Sequence, residues 1–555
     1  MKNIALIILL ILSLPAIASH IFSPIEAKNG MVVTSEPLAT QIGVNILKQG
    51  GNAIDAAVAV GFAMAVTYPR AGNIGGGGFM LIHSAKTGQV VAIDYRETAP
   101  ALAHRDMFLN KAGNVDNQLS RFSHLSAGVP GTVAGFALAL KKYGSLSLAE
   151  VLAPAIKLAE KGFTVTPSLS RELKKLSPTP SIFLKPDGNF YKAGDILIQK
   201  DLAKTLKLIA KQGIQAFYQG EIAELIVKEM QAHSGLISKT DLAHYQAVIR
   251  KPIHGTYRGY DIYSMSPPSS GGVHIVQMLN MLENDDIAKL GHNSAATIHL
   301  MTEAMKRAYA DRSKYLGDPD FVTIPIKGLI SKSYAAQLRA KFNLTHATPS
   351  QDILPGTPPT YESDNTTHYS IVDKAGNAVS NTYTLNFSYG SRKVVQGAGF
   401  LLNNEMDDFS AKPGEPNAYG LLGGIANAIE PNKRMLSSMS PTIVLKDGKA
   451  FLVTGSPGGS RIITTTLQVI LNVIDHKMNI QTAVNVVRIH HQWLPDEIRI
   501  EKGLNLDTIK LLQNMGHSIV VKKPMGAASS ILINNKKHIF YGAADPRRSG
   551  LALGF

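Results

Sequence analysis

The stretch Asp364-Asn365-Thr366-Thr367-His368-Tyr369-Ser370-Ile371-Val372-Asp373-Lys374-Ala375-Gly376-Asn377-Ala378-Val379-Ser380-Asn381-Thr382-Tyr383-Thr384-Leu385-Asn386 decides how this chain is read. Tyr369 to Val372 is a short β run, 373–377 is turn chemistry, and Ala378 to Thr384 is a second β run, so the spacing predicts a hairpin. Its entry is unusual. A loop rich in Pro, Gly and polar residues, 355–365, ends in two threonines at the mouth of a strand. Taken alone, that is a plain loop-to-strand junction. A threonine hydroxyl is a weak nucleophile unless a base stands beside it. One solution is a threonine at a chain N-terminus, whose own α-amine titrates at about 7.7–8.0. In an uncut chain this requires breaking the Asn365–Thr366 bond. Thr366 Oγ attacks the Asn365 carbonyl, the acyl group moves from nitrogen to oxygen, and water releases the ester.

Outward from this stretch, residues 1–18 form a separate object. Lys2 is a positive start, Ile4 to Leu14 is an apolar run, and Ala16-Ile17-Ala18 is a small-x-small cleavage site. That is the pattern of a secretory signal peptide, with an apolar run too short to span a bilayer. The mature chain is expected to be exported, periplasmic or secreted, with no membrane span. The 555 residues contain no cysteine, which excludes disulfides, thiolate metal sites and a cysteine nucleophile. An apolar content of 45% supplies an ordinary globular core. The net charge of +15 is spread along expected helices, as at Lys204, Lys207 and Lys211. With no basic-aromatic module, it reads as a solvated surface and not as a nucleic-acid site.

Ser35 is expected to cap a helix that has Pro37 in its first turn and runs to Lys48. Ala53 to Val66 is Ala/Val-rich almost all round, which predicts a helix buried on most faces. Gly72 to Gly78 precede two strand-like runs, Phe79 to His83 and Gln89 to Ile93. No Lys-Ser/Thr follows these glycines, so they read as places where two backbones approach closely, not as a phosphate loop. Residues 145–345 look mostly helical. Ser269-Ser270-Gly271-Gly272 lacks the Gly-x-Ser-x-Gly spacing of a serine hydrolase. Thr442 to Lys446 and Ala450 to Thr454 form a second hairpin, linked by Gly455 to Ser460 to an apolar helix from Ile462. Strands come from both halves of the chain with helices outside them, which predicts one interleaved unit.

Four ordered blocks then point to a family: Thr366-Thr367-His368-Tyr369-Ser370, Leu401-Leu402-Asn403-Asn404-Glu405-Met406-Asp407-Asp408-Phe409, Leu436-Ser437-Ser438-Met439-Ser440-Pro441-Thr442 and Thr454-Gly455-Ser456-Pro457-Gly458-Gly459-Ser460-Arg461. Together they closely resemble the γ-glutamyltransferases (γ-glutamyltranspeptidases), which are N-terminal-nucleophile hydrolases. The likeness covers nearly all of the mature chain. Asp94-Tyr95-Arg96-Glu97, the segment 311–319 and His490 to Asp496 look like family segments too.

The resemblance implies an α+β fold, a four-layer αββα sandwich formed jointly by two chains of one precursor, 19–365 and 366–555. It implies Thr366 as nucleophile and α-amino base, Thr384 as its support, and Gly458 and Gly459 as the oxyanion hole. Arg96 with Ser437 and Ser438 would hold the substrate α-carboxylate, and Asn386, Glu405 and Asp408 its ammonium. Glu405 is Gln in some relatives. Tyr419 would belong to a lid over the site, which favours small donors over γ-glutamyl polymers. The activity implied is γ-glutamyl transfer from glutathione or a related donor to water, an amino acid or a peptide, with no metal or organic cofactor. His490 and His491 are adjacent and point to opposite faces of a strand, so they do not chelate one ion together. The alternatives on the same fold are a β-lactam side-chain (cephalosporin) acylase, a poly-γ-glutamate enzyme, and a non-catalytic binding relative.

Overall fold

The computed structural model describes residues 22–356, 367–412, 414–415 and 420–555. The leader 1–18, the cleavage pair Asn365 and Thr366, and Tyr419 lie outside the described residues.

The expected hairpin is present. Thr367–Asp373 and Ala378–Thr384 pair antiparallel, with Thr367 opposite Tyr383 and Val372 opposite Ala378. They are the third and fourth strands of a seven-stranded sheet ordered Leu551–Gly554, Gly30–Thr34, Thr367–Asp373, Ala378–Thr384, Gly77–His83, Val90–Tyr95, Val248–Arg250. A second seven-stranded sheet runs Ile25–Ala27, Ile539–Ala544, Ser529–Asn534, Lys449–Thr454, Thr442–Lys446, Tyr260–Ser264, Ile253–Tyr257. Every named neighbour pair within these two sheets is antiparallel.

Strand alternation sorts side chains into layers. Met31, Val33, Phe79, Leu81 and Val372 of the first sheet meet Ile443, Leu445, Val453 and Ile531 of the second. Val32, Met80, Ile82, Tyr369 and Ile371 point the other way, onto the helices Pro37–Lys48, Ala53–Thr67, Thr132–Tyr143 and Leu148–Lys161. The outer face of the second sheet is covered by Gly271–Leu282, Ala295–Tyr315 and Arg461–Ile474. The result is helix, sheet, sheet, helix. Both sides of the expected cut contribute strands to each sheet, so the two parts form one hydrophobic unit.

Two expectations are corrected. Ser35 does not cap the first helix: Glu36 does, its carboxylate accepting the Ala39 N–H at 2.7 Å and the Thr67 hydroxyl at 2.8 Å. With Pro37 as the first helical residue, the cap falls on the residue just before it. The mostly helical reading of 145–345 hides five strands: the small pair Phe163–Thr164 and Ile196–Leu197, and Val248–Arg250, Ile253–Tyr257 and Tyr260–Ser264 in the two large sheets. They are short and only partly buried, so they carry little periodic signal. The helix Ala53–Thr67 is as expected, with all of its residues buried. Among the described residues, no helix is long and apolar enough to cross a membrane.

Toward the start of Thr367–Asp373 the inner face of the hairpin turns polar while staying buried. His368 bonds Thr382 Oγ1 at 2.9 Å and Ser370 Oγ at 3.0 Å, and Ser370 Oγ donates to the Ser529 carbonyl at 2.9 Å. Burial pushes the imidazole down to about 3, so His368 is a neutral strut between the sheets.

Candidate active site

The site is built at the end of the hairpin. Thr384 closes its strand; its Oγ1 accepts the Asn386 N–H at 2.8 Å, and its carbonyl accepts Asn73 Nδ2 at 2.7 Å. Gly76 packs so tightly there that an added Cβ would stand 2.0 Å from the Thr384 carbonyl oxygen. This is the close backbone approach expected of the glycine run. Asn386 turns the chain with φ +71°, a left-handed conformation that Asn tolerates better than most residues, and its Nδ2 donates to the Asn404 carbonyl at 2.9 Å.

That carbonyl leads into the acidic turn Glu405–Asp408, a single 3-10 turn. Asn403 fixes its entry: its Oδ1 accepts from Gly128 and Glu405 N–H at 2.9 and 3.0 Å, and its Nδ2 donates to Gly75 and Gly128 carbonyls at 2.9 and 2.8 Å. Arg96, completely buried, projects from just beyond the strand Val90–Tyr95 into this turn. One amino group of its guanidinium contacts Glu405, and the other reaches Asp408 Oδ2 at 2.6 Å and the Leu436 carbonyl at 3.1 Å. Nε donates to the Met435 carbonyl at 3.1 Å. The resemblance assigned Arg96 to the α-carboxylate and the two acids to the α-ammonium of one ligand; in the fold these side chains touch each other.

Ser437 and Ser438 follow directly on those two carbonyls. The Ser437 carbonyl is held by Ser270 N–H at 2.7 Å, and Ser438 Oγ accepts Arg312 Nη2 at 3.1 Å. Arg312 lies on the helix Ala295–Tyr315, which also carries the Tyr309 hydroxyl to the Ser460 carbonyl. One helix therefore fixes both the serine pair and the end of the glycine loop. In that loop Gly458 and Gly459 take φ of +139° and +69°, just before the helix Arg461–Ile474, and Arg461 Nε donates to the Gly458 carbonyl at 2.8 Å. Backbone N–H groups at such a helix start favour negative charge.

The electrostatics centre on one cation among acids. Burial works against a charged Arg96, yet Glu405, Asp408 and Glu97 together hold it more firmly protonated than an ordinary arginine. Burial raises Glu405 well above the usual carboxylate range, with Arg96 opposing. Glu97 is pushed up to about 8, again by burial, with Arg96 as the main offset. Its nearest charge contact is Arg96 Nη1 at 3.7 Å. Asp407 is turned away, held by Ser120 Oγ at 2.8 Å and Arg121 Nε at 3.2 Å.

A sequence model of the family described as gamma-glutamyltranspeptidase matches residues 39–555. The chain is 56% identical over 539 residues to the glutathione hydrolase proenzyme of Escherichia coli K12, covering 96% of this chain and 92% of that protein. The chain belongs to the γ-glutamyltranspeptidase family. Among solved structures, the Helicobacter pylori gamma-glutamyltranspeptidase is 51% identical, with a TM-score of 0.57 over 58% of this chain and 94% of its own. The cephalosporin acylase from Bacillus halodurans is 30% identical, with a TM-score of 0.86 over 96% of this chain and 97% of its own. The fold is thus that of the N-terminal-nucleophile hydrolases, and the protein is a γ-glutamyl acyltransferase of a self-processing family whose members mature into paired chains. γ-Glutamyltranspeptidase chemistry fits the residues brought together here: Arg96, Glu405 and Asp408 in contact, Asn386 at their side, and Ser437 and Ser438 next to the carbonyls that hold Arg96. Sequence reasoning missed Asn403 and Arg312, which bond the site's backbone and Ser438, and Glu97, which lies beside Arg96. Each sits inside a family-like block, but spacing alone does not show which backbone or side chain it meets.

Proposed function

We propose that this γ-glutamyltranspeptidase is exported, cuts itself between Asn365 and Thr366, and degrades glutathione through a γ-glutamyl ester on Thr366. The observation that carries the substrate reading is the buried Arg96–Glu405–Asp408 cluster beside the Ser437-Ser438 pair. A γ-glutamyl group presents an α-carboxylate and an α-ammonium on one carbon. A guanidinium flanked by two carboxylates offers each of these its complement.

In the proposed reaction Thr366 Oγ attacks the γ-carbonyl and its proton passes to the α-amine of the same residue. The Gly458 and Gly459 N–H groups face the oxyanion, a contribution of about 2.7–4 kcal/mol per donor in the transition state. Collapse breaks the amide, the protonated α-amine returns its proton to the leaving nitrogen, and cysteinylglycine departs. Water or an acceptor amine then attacks the ester and frees Thr366. Thr384 supports the nucleophile, and the segment around Tyr419 covers the bound group.

The acylase reading has a specific weakness. A glutaryl group has no α-ammonium, so Glu405 and Asp408 would gain no cation from the ligand and their complementarity to it would go unused. Turnover of γ-glutamyl-p-nitroanilide beside glutaryl-p-nitroanilide tests this. We expect only the former to be hydrolysed at an appreciable rate; preference for the glutaryl compound would establish an acylase instead. A chain that folds, does not cut itself and turns over neither compound would be a binding relative.

A further inference from the structure

The helix Glu221–Ala232 ends in Glu229-Met230-Gln231-Ala232-His233, which sets a carboxylate and an imidazole four residues apart on one face. A third ligand-type side chain arrives from elsewhere in the chain. His124 opens the 3-10 turn His124–Ser126, and its Nε2 lies 2.9 Å from Glu229 Oε1. His233 Nδ1 lies 3.2 Å from the same oxygen. The three donor atoms all fall within 4.8 Å of one another, and the two imidazoles stack with centroids 4.4 Å apart. His124 and Glu229 are buried, at 6% and 7% exposure, whereas the His233 side chain is half exposed. It opens onto a hollow of about 450 Å³ lined by Asp116, Ser123, Ser234 and Lys393 among others.

We propose that His124, Glu229 and His233 form a binding site for one divalent cation of the Zn²⁺ type, separate from the catalytic cluster. Two imidazole nitrogens and one carboxylate oxygen suit Zn²⁺, whereas Mg²⁺ and Ca²⁺ want oxygen ligands. Bonds of about 2.0–2.1 Å in a tetrahedral site place ligand atoms about 3.4 Å apart. The present 2.9 and 3.2 Å spacings need to open by only a few tenths of an ångström. The stacked rings must also turn so that both point at the ion. To make that turn His233 gives up the 3.1 Å contact of its Nδ1 with the Glu229 backbone carbonyl, which its half-exposed side chain has room to do. The fourth position would be left to water from the hollow.

The site has a mechanical link to the reaction centre. His124 follows the helix Asn117–Phe122, whose Ser120 and Arg121 hold Asp407 in the acidic turn. An ion would fasten one end of this brace to the helix Glu221–Ala232.

The test is calorimetric titration of the tag-free, chelator-stripped enzyme with ZnCl₂, beside His233→Ala and Glu229→Gln. The parent is expected to take up one Zn²⁺ per precursor equivalent and to melt at higher temperature when loaded. Each substitution should weaken binding by at least about tenfold, and a large excess of Mg²⁺ should not compete. His233 is half exposed, so its variant should fold, and its melting curve without metal checks this. The proposal is overturned if the parent binds no Zn²⁺, or if both variants bind it as tightly as the parent.

Discussion

Replacing Arg96 by lysine keeps the positive charge and removes the planar fork. The structure sets the size of the effect. Arg96 makes two carboxylate contacts and two carbonyl contacts at once, the latter to Met435 and Leu436 at 3.1 Å each. A lysine ammonium cannot span all four from one point, and we take the two carbonyl bonds as lost. Charge-assisted hydrogen bonds contribute about 1.5–3 kcal/mol each, so the Ser437-Ser438 backbone loses roughly 3–6 kcal/mol of anchorage. Even half of that, carried into ligand binding, is about a 10–100-fold effect. Arg96→Lys should therefore raise KM for γ-glutamyl-p-nitroanilide by that factor while the chain still folds and cuts itself, because self-cleavage binds no free α-amino acid. Arg96→Met is the poorer probe: it strands buried carboxylates, a loss of about 3–5 kcal/mol that endangers the fold. Steady-state kinetics on the lysine variant, with a denaturing gel to show processing, makes the measurement. A folded, processed variant whose KM stays within threefold of the parent would refute the assignment of Arg96 to the donor pocket.

Three further outcomes follow from the same geometry. Burial pushes Glu97 up to about 8 in the folded chain, against about 4.3 for a free carboxyl, so the folded state keeps a proton that the unfolded state releases as pH rises through this window. Stability should fall by up to tenfold in the folding equilibrium per pH unit between about 5 and 8; Glu97→Gln should flatten that slope in melting curves, and parallel profiles would contradict it. Thr384→Ala leaves the buried Asn386 N–H without its 2.8 Å acceptor, a loss of about 1–3 kcal/mol, and should slow self-cleavage by tenfold or more on a gel time course, with Thr384→Ser restoring it. Gly76→Ala places a methyl 2.0 Å from the Thr384 carbonyl oxygen and should abolish processing, which the same gel reads; normal processing would show that the glycine run has another purpose.

Much of the sandwich was legible because its decisive elements announce themselves locally. The central hairpin carries Lys374-Ala375-Gly376-Asn377 between two β runs, and the helix Ala53–Thr67 is apolar on every side. The strands Val248–Arg250 to Tyr260–Ser264 were not legible, since their place is set by pairing with Val90–Tyr95 and Thr442–Lys446, far away in sequence. The first helix cap shows how one residue's shift in frame changes a side chain's duty, from Ser35 to Glu36. At the site, motifs named the candidate residues but not what holds them. Asn403 makes four bonds to backbone drawn from 75, 128 and 405, and Arg312 reaches Ser438 from another layer. Those partnerships exist only once the layers are stacked. The contact of Arg96 with Glu405 and Asp408 is of the same kind.

The account stands or falls on Thr366 as a new N-terminus, and intact mass spectrometry of the purified protein beside Thr366→Ala measures that directly. We predict two fragments from the parent, the smaller beginning at Thr366, and a single uncut chain from the variant. A folded parent that stays in one piece, or one cut at another bond, would contradict the proposed nucleophile and the mechanism built on it.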